Sequence, residues 1–300
     1  MSLSSREVDL FERSRGRLEA IAYRMLGSAG DAEDAVQDTF LRWQAAAREH
    51  IETPEAWLTR ALTNVCLNQL SSARARRETY VGQWLPEPVL AGDRMLGPAE
   101  TVEQRESVSI AVLALMERLS PHERAVYVLR EAFGYPHAGI AEILDLTEAN
   151  CQQIYRRAKQ HLATGRSRRA IDAAEARRIA EEFLAAALSG DVDALVRQLA
   201  GDAVSVADGG GEVPARTTPI VGALAIARFV RSSLRPTVAE RFVGAEVTLH
   251  AAVVNDGPAV VAVTGGRVIG VISLEVTADG IAALHIQANP GKLARVTEHW

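Results

Sequence analysis

Positive charge is not in excess in this 300-residue chain: 33 lysines and arginines stand against 38 aspartates and glutamates, a formal net charge of −5. That balance excludes a protein that coats nucleic acid through bulk charge. It leaves room for a local basic surface, which is all that DNA binding needs. Cysteine is nearly absent. Cys66 and Cys151 form no C-x-x-C pair, and no histidine pair lies close enough to complete a zinc site. Both fall within helical patterns among apolar neighbours and are expected to be buried thiols of a reducing compartment. No run approaches about eighteen apolar residues, so no membrane-spanning helix is expected. The opening MSLSSREVDLFERSRGRLEA is charged from the start and lacks the apolar stretch of a signal peptide. These absences point to a cytoplasmic protein with no metal, cofactor or membrane anchor.

What is present is helix-forming sequence over the first 170 residues. Residues 6–26 place Leu10, Phe11, Leu18, Ile21, Ala22 and Met25 at steps of mostly three and four, an amphipathic helix broken by Gly27 and Gly30. Asp31 is expected to open the second helix, its acidic first turn matched to the positive end of the helix dipole. Thr53-Pro54 reads as a cap with proline at the first helical position, and Trp57, Leu58, Ala61, Leu62, Val65, Cys66 and Leu70 form one apolar stripe beyond it. The stripe ends in a basic cluster, Arg74, Arg76 and Arg77. Residues 78–103 carry WLPEP, Gly92, Gly97 and Pro98 and cannot continue a helix. After residue 173 two helices give way to valine-rich runs punctuated by Asn255-Asp256-Gly257, Gly265-Gly266 and Asp279-Gly280, with one further helix near 223–234. Such runs are strands joined by tight turns, so the chain ends in an α+β domain.

Residues 120–163 carry the densest pattern. Ser120 and Glu123 form a capping box with Pro121 at the first helical position. A break at Phe133-Gly134-Tyr135-Pro136 precedes a short helix, HAGIAEIL, and Asp145-Leu146-Thr147 turns the chain into a third helix capped by Thr147. On that helix Cys151, Ile154, Tyr155, Ala158 and Leu162 share one face. The other holds Asn150, Gln152, Gln153, Arg156, Arg157 and Lys159. Amides near the start of a helix and cations further along suit base edges and phosphates in a major groove. A plain helical hairpin with a solvated polar face shows the same division, and this segment alone leaves both readings open.

Taken together, the two helical blocks resemble the sigma-2 and sigma-4 domains of extracytoplasmic-function RNA polymerase sigma factors. AYRMLGSAGDAEDAVQDTFLRWQ (22–44) is similar to the sigma-2 segment that docks on the polymerase clamp. The resemblance assigns polymerase contact to Asp31, Glu33, Asp34, Gln37, Phe40, Leu41 and Trp43. ETPEAWLTRALTNVCLNQLSSARAR (52–76) resembles the helix that reads and opens the −10 element. Trp57-Leu58 and Asn64 fall on the family's W-L and N positions, and Asn68, Arg74, Arg76 and Arg77 follow; Leu67-Asn68-Gln69 stands where the family often has an aspartate. The connection 48–53 would edge the pocket for an unstacked base. The 120–163 segment resembles sigma-4, which puts Asn150, Gln152, Gln153, Arg156, Arg157 and Lys159 on the −35 element. The implied partners are the RNA polymerase core, through its clamp and flap regions, and promoter DNA.

Three further motifs resemble those of sigma factors with a fused SnoaL-like domain: WLPEP (Trp84, Leu85, Pro86, Glu87, Pro88), Asp208-Gly209-Gly210-Gly211, and Asn289-Pro290 with Lys292-Leu293. The last motif more usually reads N-P-D-K-L, and Gly291 replaces its aspartate here. The resemblance implies a multi-domain chain, two all-α domains followed by an α+β cone. Sigma-2 would span 1–79, a linker 80–104, the sigma-4 helix-turn-helix 105–165 and the SnoaL-like domain 173–300. It also implies an intramolecular contact between the C-terminal domain and the sigma domains that modulates activity, and a small-molecule ligand of unknown identity in the cone. The three glycines after Asp208, taken alone, are equally a flexible strand connection. Asp202, Asp208, His250 and His285 are acid-base candidates by comparison with SnoaL-like enzymes, but no pair is fixed by spacing, so no catalysis is expected. The competing reading is a ligand-responsive helix-turn-helix regulator that acts without polymerase core.

Overall fold

The computed structural model describes residues 4–78, 80–97, 104, 106–163, 169, 171–234 and 244–300, with the backbone alone for 73–78. Two compact units emerge: Met1–Thr79 with Gly92–Val108 and Val112–Gly165, and Tyr80–Ala91 with Ser109–Ala111 and Arg166–Trp300.

The first unit is helical. Helix α1 (Ser5–Leu26) starts in a Ser4–Glu7 capping box and ends at Gly27, whose φ of 68° is left-handed and whose N–H returns to Tyr23 O at 2.7 Å. Helix α2 (Ala29–Ala45) begins two residues earlier than Asp31. The cap explains the shift: Ser28 Oγ accepts from Asp31 N at 3.1 Å, which draws Ala29 and Gly30 into the first turn. Helix α3 (Pro54–Glu78) follows, with Leu58, Leu62, Val65 and Cys66 buried. After it come α4 (Ile110–Met116), α5 (Pro121–Glu131), α6 (His137–Leu144) and α7 (Glu148–Leu162). Ser120 and Glu123 form the expected box. Asp145 turns the chain at φ 56°, and Thr147 Oγ1 accepts from Asn150 N at 3.2 Å to open α7. Helices α5, α6 and α7 pack on one another as a helix-turn-helix.

The second unit is α+β. Helices α8 (Ala173–Ser189) and α9 (Val192–Gln198) precede strand β1 (Leu199–Asp208). The two-residue strand β2 (Ile220–Val221), too short to show alternation in the sequence, and helix α10 (Ala223–Ser233) come next. Strands β3 (Thr248–Val254), β4 (Gly257–Thr264), β5 (Arg267–Thr277) and β6 (Gly280–Gln287) complete the sheet, and helix α11 (Ala294–His299) follows. The order is β2-β1-β6-β5-β4-β3, with β1 parallel to β6 and the other pairs antiparallel, so β2 and β3 lie at the edges. The β3–β4 turn uses Asn255 and Asp256 at φ 50° and 56°, the left-handed pair that a two-residue hairpin requires. Strand alternation builds two cores. Val260, Ile272, Leu274 and Leu284 join α8, α9 and α10 on one face, while Ala259, Val261, Val263 and Val271 join Leu293 and Val296 on the other. Both cysteines are buried free thiols. Among the described residues no helix is long and apolar enough to cross a membrane.

Candidate nucleic-acid interface and the strapped C-terminal domain

Helix α7 separates into two faces. Cys151 and Ala158 are buried, Ile154 and Tyr155 half-buried, and Asn150, Gln152, Gln153, Arg156, Arg157 and Lys159 are all exposed. Two contacts fix the helix on its scaffold: the Tyr155 hydroxyl donates to Glu131, and the Tyr155 and His137 rings meet edge-on at 5.2 Å; within the helix, Lys159 lies over the Tyr155 ring at 5.6 Å. Burial first, and Glu131 second, push the Tyr155 phenol up, so it stays a donor. The result is a rigid base carrying an exposed strip of two glutamines, an asparagine and three cations.

Helix α3 presents Arg60, Asn64 and Asn68 outward at helical spacing, while Trp57 is half-buried with its ring 5.5 Å from that of Trp43. Arg74, Arg76 and Arg77 lie outside the residues whose side chains are described. The connection before α3 is pinned rather than loose. Arg48 Nε donates to Glu7 Oε1 at 2.6 Å, and its Nη1 reaches the carbonyls of Trp43 and Gln44 at 2.8 and 2.7 Å. The Ser4 hydroxyl and amide, with Arg48, hold the Glu7 carboxyl down at about 2. Nothing in the sequence pattern announced this link across 41 positions.

Helix α2 presents Glu33, Asp34, Gln37 and Leu41 to solvent, Leu41 at 54% exposure. Asp31 and Phe40 are half-buried, Phe40 with its ring 4.8 Å from that of Phe11. Trp43 departs from the expected contact set. At 2% exposure it is a core residue, because the apolar face of α2 that carries it turns toward α3.

In the second unit the three motifs meet. Asp208, wholly buried at the end of β1, accepts from the Tyr80 hydroxyl (Oδ1, 2.6 Å), Gly210 N (Oδ1, 3.0 Å), Leu85 N (Oδ2, 2.9 Å), Lys292 Nζ (Oδ2, 2.7 Å) and Gln287 Nε2 (Oδ2, 3.3 Å). Lys292 also donates to Leu85 O at 2.8 Å and stands over the Trp84 and Tyr80 rings at 4.3 and 4.8 Å. Gln287 Nε2 reaches the carbonyls of Leu85 and Pro86, and Asn289 Nδ2 donates to the Tyr80 hydroxyl at 2.8 Å. Further along, Val89 and Asn255 exchange two hydrogen bonds of 2.9 and 3.0 Å, and Leu90 bridges Val254 at the β3 edge. Residues 80–91 therefore run as a strap across the α+β domain. Tyr80 and Gln287 were not singled out in the sequence, and Asn255 only as a turn residue; no spacing rule ties a lone tyrosine or glutamine to a carboxylate 128 or 79 positions away.

Burial works against the charged form of Asp208, but Lys292, the Tyr80 hydroxyl and the Leu85 amide outweigh it and hold the carboxyl below its ordinary range. The glycines are explained by crowding. A Cβ on Gly209 would lie 2.2 Å from Val213 O, and one on Gly210, at φ 64°, would lie 2.4 Å from Asn289 Nδ2. Pro290 and Leu293 flank Lys292, Leu293 buried in the second core and Pro290 exposed; Glu87 and Pro88 sit in the middle of the strap. Beside Val81 and Gly82 the loop 209–217 frames a cleft of about 260 Å³. Asp202 and His250 are exposed on β1 and β3, and His285 is half-buried on β6; the His250 and Trp300 rings meet at a tilt, centroids 5.4 Å apart.

A helix-turn-helix with an exposed polar strip, a second helical block, and a strapped α+β domain define a DNA-binding protein with an appended domain of different architecture. The family description Sigma-70 region 2 matches residues 10–76 and Sigma-70 region 4 matches residues 109–162. The chain is 36% identical over 225 residues to the ECF RNA polymerase sigma factor SigJ of Mycobacterium tuberculosis, covering 75% of this chain and 72% of that one. It is 31% identical over 288 residues to the probable ECF RNA polymerase sigma factor SigI of the same species, covering 93% and 92%. The crystal structure of Mycobacterium tuberculosis SigJ superposes with a TM-score of 0.74 at 30% identity, over 95% of this chain and 97% of that one. The chain belongs to the extracytoplasmic-function RNA polymerase sigma factors. As a sigma factor it directs RNA polymerase to promoters.

Proposed function

We propose that the exposed face of α2 (Asp31, Glu33, Asp34, Gln37, Phe40 and Leu41) docks on the polymerase clamp, and that the helix-turn-helix block meets the flap. Helix α3 then reads the −10 element through Trp57, Asn64 and Asn68, with Arg74, Arg76 and Arg77 on the backbone beyond it. The pinned connection 48–53 edges the pocket for an extruded base, whose unstacking, a few kcal/mol, is offset by binding. Helix α7 reads the −35 element: Asn150, Gln152 and Gln153 address base edges, while Arg156, Arg157 and Lys159 address phosphates. One observation carries this reading: all six of those α7 side chains stand exposed on a helix whose opposite face is locked to its scaffold.

The C-terminal domain acts, in the same proposal, as a built-in regulator. Its grip on residues 80–91 constrains the chain that joins the two DNA-reading blocks, so strapped and unstrapped states differ in promoter output. A small molecule in the cleft beside Val81 and Gly82 would touch both the strap and the glycine loop, and would shift that balance. No chemical step is assigned to this domain.

Run-off transcription with purified core polymerase tests both parts. The full chain is expected to start RNA at defined promoters, and Asp208→Ala to change the yield. Absence of initiation across a promoter library overturns the first part; unchanged yield from Asp208→Ala overturns the second.

A further inference from the structure

The strip on α7 that is proposed to meet DNA begins with an acid, a charge that phosphates repel. Glu148 is exposed in the first turn, and Gln152 Nε2 donates to its Oε1 at 3.3 Å from one helical turn further on. Thr147 Oγ1, accepting from Asn150 N at 3.2 Å, fixes the turn that holds Glu148. An acid at this place suits the positive end of the helix dipole, but aspartate would serve that end equally. The bond to Gln152 uses the longer side chain.

A carboxylate oxygen only accepts hydrogen bonds, so this contact settles which way the Gln152 amide points. Its nitrogen faces Glu148, and its carbonyl oxygen is presented to an incoming base. In the major groove adenine N6 and cytosine N4 donate, whereas guanine O6 and thymine O4 accept. Turning the amide round to meet a keto oxygen would set two acceptors, Gln152 Oε1 and the Glu148 carboxylate, against each other. In open water that reversal is disfavoured only about twofold, because an exposed pair on a helix is weak. On the floor of a groove from which water is displaced, the unmade bond and the facing oxygens weigh about tenfold.

We infer that Glu148 is a positioning residue that sets the hydrogen-bond polarity of Gln152. With the amide so held, α7 takes a base bearing an exocyclic amine, adenine or cytosine, at one position of the −35 element and rejects the keto edge of guanine or thymine. Glu148 acts through Gln152 and does not itself meet the base. This rests on the reading of α7 given above and deepens it from a contact to a choice of base.

Run-off transcription by the full chain with core polymerase reads the effect, on promoters carrying each of the four base pairs at each −35 position in turn. The parent is expected to favour adenine and cytosine over guanine and thymine about tenfold at the one position where Gln152→Ala levels the four bases. Glu148→Asp keeps the first-turn charge but is one methylene shorter. It is expected to cut that preference to about twofold while the choices at the other positions stand. Glu148→Lys puts a donor where the acceptor was, so the amide turns round and guanine and thymine become the favoured bases. In a Gln152→Ala background, Glu148→Asp should change no preference. An amine preference that survives Glu148→Asp or Glu148→Lys, in proteins whose circular dichroism matches the parent's, overturns the positioning role and leaves the reading of α7 intact. So does a preference that Glu148→Asp alters in the Gln152→Ala background, since Glu148 would then meet the base itself. A −35 element indifferent to Gln152→Ala overturns the reading of α7 at that residue, and lack of RNA synthesis by the parent overturns the sigma reading instead.

Discussion

The Lys292 ammonium lies 2.7 Å from the buried Asp208 carboxylate and 2.8 Å from the Leu85 carbonyl, so one side chain joins the end of β1 to the strap. Removing one member of such a pair leaves the other charge buried without its partner. Lys292→Met is therefore expected to destabilise the α+β unit by about 3–5 kcal/mol. Denaturant unfolding of the full chain checks this. In limited proteolysis the strap near Trp84 should become the earliest cut; an unchanged midpoint and cleavage pattern would contradict it.

Acid should loosen the strap in a defined direction. The Asp208 carboxyl is held below its ordinary value, so its contribution is present above the unfolded value near 4 and disappears as pH falls through the folded one. Trp84 fluorescence, sensitive to the Lys292 ammonium at 4.3 Å, should stay flat from neutral pH to about 5 and shift only in stronger acid. In Asp208→Asn that step should vanish. A step near pH 6 to 7 would assign the control to another group.

Gly210→Ala should cost more than an ordinary loop substitution. The position has φ 64°, and the new Cβ meets Asn289 at 2.4 Å, where Asn289 is already committed to Tyr80 and Gly291. About 1–3 kcal/mol is expected from the combined strain and weakened hydrogen bonding. Gly265→Ala, also at positive φ but with open space around it, supplies the control for backbone strain alone.

These positions show what the sequence could and could not disclose. Caps were legible because they are local: Ser120, Glu123 and Thr147 act within three residues of their partners. The two faces of α7 followed from a period of 3.6, and the strands from valine-rich runs between turn residues. The start of α2 was misplaced because Ser28, rather than the acidic Asp31, supplies the cap. Trp43 enters the polymerase-contact set through the family resemblance, and local sequence does not disclose that it is buried with its ring against Trp57 of a different helix. The three motifs around the strap were visible as motifs, yet their meeting point was not. Tyr80 and Gln287 reach Asp208 across 128 and 79 positions, and only the fold sets such distances.

On α7, cations and amides should separate in a binding assay. Arg156→Ala, Arg157→Ala and Lys159→Ala are each expected to weaken binding on every sequence and to lower the salt slope by about 0.9 for each phosphate left without its cation. Gln153→Ala should leave the slope unchanged and relax base preference at one upstream position by about 1–3 kcal/mol. Filter binding or anisotropy across a salt series distinguishes the two classes.

The division of labour between α3 and α7 is tested most directly by photocrosslinking from Asn64 and from Gln153 in a complex of polymerase, promoter and this protein. Asn64 is expected to mark the melted strand at the −10 element, and Gln153 the duplex major groove at the −35 element. Crosslinks from both residues to one short stretch of DNA, or from neither, would contradict the account.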